Sequence, residues 1–429
     1  MKQIIQSDSK LFENFFYLED LYPLKDNSFK EKNIGLILIT IFYNILKVLL
    51  KLLLNFKIKQ EKYYFNNKVF FSHINPSFLN DKKEKYFGDM INDKKDIFYI
   101  KHVKKKDHLD GFQIFPKSLS IGLELKIIIK LFVDFTYFLF LIITKFKSKK
   151  YYSIFLANFI SPSSALNLRY YYAIKNNILG NNNKKVFITF EGYAYERSII
   201  KSSKEIGNKI FAYQHGAINN YNSSIFFRLN HALMPDKILT SGSITYDYFL
   251  NKGFSVSEIC IMGSNRSNNY SYTLKDKENY LIIPNGTFIE HEKLFDFVLK
   301  ISKKKKKSKF YFKAHPEILF DKEYQNKDNL IVIDQLQEKI LIDCKYVIYT
   351  KSSYVINFVS SGMIPLFFNY EGLKDNILAN YNNYIEIKDD YNFSFDLKIY
   401  NTIKKDILHF SKNYYTELNL KKFNSIINI

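Results

Sequence analysis

The sequence is poor in cysteine and lacks an apolar segment at its N-terminus. The 429 residues include two cysteines, Cys260 and Cys344, which lie in apolar runs without the spacing of a metal site. Two such residues cannot build a disulfide framework, so we expect a reducing compartment. The first eight residues contain no hydrophobic core of a signal peptide. These absences predict a protein that stays in the cytoplasm.

Glycine and proline are also scarce, at 14 and 8 residues, whereas Lys, Ile, Asn, Phe and Tyr dominate. This bias is typical of AT-rich coding and inflates lysine, so the net charge of +21 is weaker evidence than its size suggests. A pI near 9.4 still favours phosphates, anionic lipids or acidic polymers as partners. Because no helix-turn-helix, zinc-finger or RNP-type signature is present, we expect no nucleic-acid partner.

Two long apolar stretches occur in the first 150 residues. The first, near residues 34–54, is interrupted by Lys47 and Lys51, which share one helical face. The second, near residues 121–145, is followed directly by further lysines. Both stretches predict helices that are either buried or lie in a membrane interface, where basic ends suit an anionic leaflet. A true membrane span is the less favoured interpretation.

Beyond residue 150, strands alternate with helices, which predicts α/β domains built on parallel sheets. We predict strands at 152–157, 185–190, 209–213, 237–240 and 259–262, then at 280–283, 309–313, 330–333, 346–349 and 365–368. The polar stretch 264–279 between the two groups is typical of a linker. We therefore predict an N-terminal α/β domain over 1–265, a C-terminal one over 278–395, and a helical segment over 396–429 that packs back on the first.

Candidate site residues follow the predicted strands of the second domain. An alternating run ends at Lys313 and is followed by His315 and Pro316, and proline stops a strand. His315 is therefore expected at the carboxyl end of a strand, where open α/β sheets bind ligands. Ser352 and Ser353 precede a predicted helix and either bind an anion or simply cap the helix. The same pattern recurs in Asn285, Gly286 and Thr287.

Two further loops follow strands of the first domain. Glu191 comes directly after a strand, and a carboxylate there either acts as a general base or has a plain capping role. Glu196 and Arg197 lie on the acceptor side in this interpretation, although Glu196 also suits the start of a helix. The second loop contains Gln214, His215 and Gly216, which line the acceptor pocket or form a plain turn.

These loops would meet across a cleft between the two domains. The pattern resembles bacterial capsule and surface-polysaccharide glycosyltransferases of the GT-B fold, especially polysialyltransferases and Kdo-transferase-like enzymes that use CMP-sugars. The resemblance covers roughly residues 185–370: His315-Pro316 matches the family's His-Pro motif, Ser352-Ser353 its serine motif, and Glu191-Gly192 its acidic motif.

The resemblance implies two Rossmann-like domains facing a central cleft, with extra N-terminal helices. It implies Glu191 as base, His315 as support for the phosphate or as acid to the leaving group, and the two serines as phosphate ligands. It also implies a nucleotide-sugar donor, a glycan or lipid-linked acceptor, no metal and no cofactor. With the basic helices, it predicts an enzyme peripheral at the inner face of the plasma membrane.

Two alternatives remain open at this point. The His-Pro and serine motifs also occur in polyol-phosphate transferases that use CDP-glycerol. The second alternative is a non-catalytic, membrane-associated polysaccharide-assembly protein. It is supported by Phe190, which occupies the position where the family has a second acidic residue.

Overall fold

The structure is a computed structural model that describes most of the chain. The described residues are 15–18, 66–73, 84, 86–100, 113–115, 119–145, 162–176, 183–218, 223–226, 228–267, 278–285, 287–315, 318, 329–370, 376–378, 384–387 and 397–428. The predicted helix near 34–54 and the predicted strand at 152–157 lie outside them.

Thirteen strands of the described residues form two parallel sheets. They are β1 (Lys68–Ser72), β2 (Ile97–Tyr99), β3 (Gln113–Ile114), β4 (Lys185–Thr189), β5 (Lys209–Gln214), β6 (Lys237–Thr240), β7 (Ile259–Ile261), β8 (Tyr280–Ile283), β9 (Phe310–Lys313), β10 (Leu330–Ile333), β11 (Tyr346–Tyr349), β12 (Ile364–Phe368) and β13 (Ile385–Ile387). The first sheet has the order β3-β2-β1-β4-β5-β6-β7, and the second β10-β9-β8-β11-β12-β13. All neighbouring strands are parallel.

Aromatic residues in register hold neighbouring strands together. Phe187 in β4 pairs with Phe70 in β1 and Phe211 in β5, and the ring centroids are 4.7 and 5.1 Å apart. In the second sheet, Tyr280 stacks on Phe310 at 4.7 Å. Most of the strands are buried on both faces, which explains why they form nearly continuous apolar runs in the sequence.

Nine α-helices of the described residues surround these sheets. They are α1 (Ile121–Lys145), α2 (Pro162–Lys175), α3 (Ala194–Glu205), α4 (Ser243–Asn251), α5 (Phe288–Lys304), α6 (Glu338–Asp343), α7 (Val355–Ser360), α8 (Leu397–Tyr414) and α9 (Leu420–Asn428). Within the described ranges, none of them has the length and apolar character needed to cross a bilayer.

The segment between α8 and α9 lies against the carboxyl edge of the first sheet. The backbone N–H of Ser264 donates to the carbonyl of Thr416 at 2.8 Å, and that of Asn419 donates to Met262 at 2.9 Å. Gly263 lies between these contacts with φ of +86°, and a Cβ there would collide with the backbone of the C-terminal segment. The chain therefore returns to the first sheet after completing the second.

Each sheet has a topological switch point, where strands on one side were added in one direction across the sheet and later strands were added in the other direction. In the first sheet this point lies between β1 and β4, and in the second between β8 and β11. Parallel sheets of this type bind ligands beyond the carboxyl ends of the strands at this point. The predicted α/β fold with two Rossmann-like domains is confirmed, and it directs attention to the loops that follow these four strands.

Candidate functional site

The loop after β4 is built around the buried carboxyl group of Glu196. This side chain accepts hydrogen bonds from the backbone N–H groups of Glu191 at 3.0 Å, Gly192 at 2.7 Å and Tyr193 at 2.9 Å. Gly192 has φ of +85°, and a Cβ there would lie 2.7 Å from the backbone of Ser224. Glu196 therefore holds the loop in its conformation and caps the N-terminus of α3. Its carboxyl group supports the predicted acceptor side from within the protein.

Arg197 is also a buried support of this loop. It is 2 % exposed, and its guanidinium donates to the carbonyl oxygens of Phe16 at 2.9 Å, Gly192 at 2.7 Å and Leu18 at 2.8 Å. These contacts tie residues 15–18 to the loop after β4. The structure therefore gives Arg197, a predicted acceptor-side residue, a place behind the loop and away from its surface.

Glu191 and His215 lie next to each other at the ends of β4 and β5. The Nε2 atom of His215 is 3.5 Å from Oε1 of Glu191, and its ring contacts Tyr86 at a centroid distance of 3.9 Å. Burial, helped by the charge of Arg266, lowers the pKa of His215 to about 3, so the imidazole is neutral at pH 7. Burial raises the pKa of Glu191, which makes it a stronger base. A Cβ on Gly216 would lie 2.5 Å from Oε1 of Glu191, so this glycine makes room for the carboxylate.

Gln214, the remaining predicted residue of this loop, is fully buried. Its Oε1 accepts from the backbone N–H of Ser241 at 3.3 Å and from the Ser241 hydroxyl at 3.1 Å, and its Nε2 donates to the carbonyl of Gly216. Gln214 thus links the ends of β5 and β6 and holds the turn that contains His215.

In the second sheet, Glu290 joins the loops that follow β8 and β11. The hydroxyl of Thr287 donates to Oε2 of Glu290 at 2.9 Å, and Nζ of Lys351 is 3.4 Å from Oε1. Glu290 is 4 % exposed and lies in the first turn of α5. The contact with Lys351 places a cation at the switch point of the sheet, where phosphate groups bind in related topologies.

His315 is connected to the same first turn of α5. Its backbone N–H donates to Nε2 of His291 at 3.4 Å. Burial, followed by electrostatic interaction with His315 and Lys313, lowers the pKa of His291 to about 4. His291 is therefore a neutral acceptor that fixes the backbone after β9, and the half-buried His315 lies beside it. Lys313 donates from Nζ to the carbonyl of Ala314 at 2.7 Å.

Ser352 and Ser353 lie between β11 and α7, both half-buried. The helix begins at Val355, and Tyr354 occupies its N-cap position without a side-chain capping bond. Neither serine hydroxyl therefore caps the helix. Asn285, at the end of β8, is also half-buried, whereas Pro316 and Gly286 lie outside the described residues. The described candidates of the second domain thus gather at one edge of its sheet.

Arg266 connects this edge to the first sheet. Its guanidinium donates to the hydroxyl of Tyr415 at 3.2 Å, and its carbonyl accepts from Nδ2 of Asn357 at 2.8 Å. Burial raises the pKa values of Glu191 and Tyr354, and the charge of Arg266 lowers both. One cation therefore lies within electrostatic reach of the acidic loop of the first sheet and of the serine loop of the second. Arg266 therefore links the loops at the carboxyl ends of the two sheets.

Sequence reasoning did not select several of these residues as site candidates. They are Tyr86, Arg266, Glu290, His291 and Lys351. Glu290 and His291 follow the Pro-Asn-Gly-Thr turn within the first helical turn, and this position was their only signal. Among the described residues, no group of three His, Cys, Asp or Glu side chains is arranged to hold a metal ion.

Comparisons with known proteins give matches at the level of structure. No protein-family model matches the chain, and no curated protein sequence matches it. Similar solved structures include the glycosyltransferase SnogD from Streptomyces nogalater, with 9 % identity, coverage of 62 % of this chain and 78 % of that one, and a TM-score of 0.42. The Methanocaldococcus jannaschii UDP-GlcNAc 2-epimerase, solved with UDP-GlcNAc and UDP, has 12 % identity, coverage of 62 % and 80 %, and a TM-score of 0.40. At this level of identity the likeness concerns architecture.

Proposed function

We propose that the protein is a glycosyltransferase that transfers a sugar from a nucleotide donor to a glycan or lipid-linked acceptor. The observation that carries this proposal is that Arg266, whose carbonyl accepts from Asn357 of α7 at 2.8 Å, is close enough to lower the pKa values of both Glu191 and Tyr354, which is beside the serine loop. An acceptor base and a phosphate-binding edge on opposite sides of one cleft are what an inverting transfer requires.

In the proposed reaction, the hydroxyl oxygen of the acceptor attacks the anomeric carbon of the donor sugar. Glu191 takes the proton of that hydroxyl, and its raised pKa favours this role. The bond between the anomeric carbon and the phosphate oxygen breaks, and the nucleotide leaves with the bonding electrons. Lys351, Ser352 and Ser353 meet the charge on the leaving phosphate, with His315 as its support or as its acid, because prearranged donors stabilise developing charge.

The neutral His215 has a separate place in this proposal. Its Nε2 atom lies 3.5 Å from the base, and its pKa of about 3 prevents it from forming an ion pair that would weaken the carboxylate as a base. We assign His215 to orienting Glu191 and the acceptor hydroxyl.

The nucleotide is proposed to be CMP, with UDP as the competitor. We would measure binding of CMP and UDP by calorimetry, using the wild type, His315→Ala, and His231→Ala as a matched control. His231 is exposed and lies in a short 3-10 helix that precedes β6. Binding of CMP that is lost only in His315→Ala supports the donor site and the CMP class. Binding of UDP alone would overturn CMP, and binding of neither would favour the non-catalytic assembly role.

The acceptor is proposed to be reached at the inner face of the plasma membrane. The formal charge of +21 favours an anionic surface, and a lipid-linked acceptor is presented there. Transfer to a lipid-linked acceptor in anionic vesicles, compared with the same acceptor in neutral detergent, tests this assignment. Equal rates in both would contradict it.

A further inference from the structure

Helix α1 presents an apolar face to the exterior. The exposed large apolar side chains of this helix are 39 to 66 % exposed, and they are Ile121, Leu125, Ile129, Phe132, Val133, Tyr137 and Phe140. Their spacing of three and four residues puts them on one side of the helix. At 1.5 Å per residue, the stripe from Ile121 to Phe140 is about 29 Å long.

The carboxylates of α1 point in the opposite direction, into the protein. Glu124 is 4 % exposed and is bound by Nε of Arg169 at 2.8 Å. Asp134 is 7 % exposed, accepts from the Tyr17 hydroxyl at 2.6 Å and pairs with Lys130. Buried carboxylates are stable only when they are paired in this way. These contacts fix the rotation of α1 about its own axis. The apolar stripe is therefore held on the outside of the protein.

The charge around this face distinguishes between possible occupants. No carboxylate is among the exposed side chains described for α1, whereas Lys126 lies at the margin of the stripe. In the sequence, Lys147, Lys149 and Lys150 follow the helix directly. A second copy of the chain would bring another formal charge of +21 to the same surface. Charge complementarity therefore favours an anionic partner with an apolar layer beneath it.

We propose that the exposed face of α1 docks on an anionic lipid surface, with the helix axis in the plane of the membrane. The apolar side chains enter the boundary between headgroups and acyl chains, and the exposed Lys126 contacts the headgroups. This inference goes beyond the transfer reaction and does not depend on it, because lipid binding requires neither nucleotide nor acceptor.

Sedimentation with vesicles tests the proposal on the full chain. The variants are Phe132→Ser combined with Phe140→Ser, and the control Val256→Ser, which changes a side chain that is 68 % exposed in another part of the molecule. The vesicles contain phosphatidylcholine with or without phosphatidylglycerol. We expect the wild type and the control to bind the anionic vesicles, and the double variant to bind about 30-fold more weakly.

The wild type should also retain part of its binding at high salt, because apolar insertion is not screened. Three outcomes would overturn the proposal. The first is that the wild type does not bind anionic vesicles. The second is that binding is equal in the double variant and is lost entirely in salt, which would indicate charge alone. The third is a wild-type dimer that the double variant dissociates, which would make a second copy the occupant.

Discussion

Replacing Glu191 with glutamine tests the proposed chemistry at its centre. The amide has nearly the same shape as the carboxylate but cannot accept a proton from the acceptor hydroxyl. Loss of a general base lowers kcat by about 100- to 10,000-fold. The nucleotide of the donor is first identified by the binding measurements described above. The assay then follows release of that nucleotide from the donor at a saturating concentration of acceptor.

The expected effect on stability is small, which separates catalysis from folding. The Glu191 side chain is 24 % exposed, and its contact with Nε2 of His215 at 3.5 Å is too long for a strong hydrogen bond. Exchange of the carboxylate for an amide should therefore change the free energy of unfolding by less than about 1 kcal/mol. Thermal unfolding and nucleotide binding should both stay close to wild type.

Glu196→Gln is the matched control, five residues further along the chain. Burial and the nearby charge of Glu191 raise the pKa of Glu196 to about 8, so its carboxyl is mostly protonated at pH 7. Glutamine mimics that neutral form, keeps an acceptor for the backbone N–H groups, and should leave kcat within about threefold of wild type. Equal losses in the two variants, or full activity in Glu191→Gln, would refute Glu191 as the base.

The remaining predictions concern Glu191, Glu196 and the residues that surround them. Because burial raises the pKa of Glu191 and Arg266 lowers it, Arg266→Gln should move the acid limb of kcat/KM to higher pH, as a pH–rate profile would show. Gly216→Ala should displace the Glu191 carboxylate and lower kcat about tenfold in the same turnover assay, whereas Gly122→Ala, with nothing within 4 Å, should not. Glu196→Ala should cost about 3 kcal/mol in denaturant unfolding, because three N–H groups lose their acceptor. The stability that neutral Glu196 contributes is complete below its ordinary pKa of 4.5 and declines as pH rises towards about 8, and Glu196→Gln should remove this dependence.

The strands were predictable because parallel strands buried on both faces produce short, continuous apolar runs. The prediction at 346–349 matches β11, and that at 330–333 matches β10. Strand β3, with two residues, and β13, in which Glu386 interrupts the apolar pattern, were missed. Strands this short are defined by their neighbours in the sheet, which no local pattern encodes.

The positions of candidate residues were predictable only where a residue closely follows a strand. Glu191, His215 and His315 fulfil that condition, and the structure places each at a carboxyl edge. Arg197 also follows a strand closely, but its burial depends on residues 15–18, which are distant in sequence. The local sequence pattern predicts where a strand ends. Contacts with residues distant in sequence decide which of the side chains beyond that end are buried and which are accessible.

Arg266 shows why the two halves of the site cannot be adjusted independently. It lies just after β7, its carbonyl is held by Asn357 of α7, and its guanidinium is held by Tyr415 in the returning C-terminal segment. The cation that lowers the pKa of Glu191 is therefore positioned by the second domain and by the end of the chain. A change at the contact between Asn357 and the Arg266 carbonyl is therefore expected to alter the pKa of Glu191. The basicity of the proposed catalytic carboxylate thus depends on an arginine whose backbone is held by α7 and whose side chain is held by the C-terminal segment.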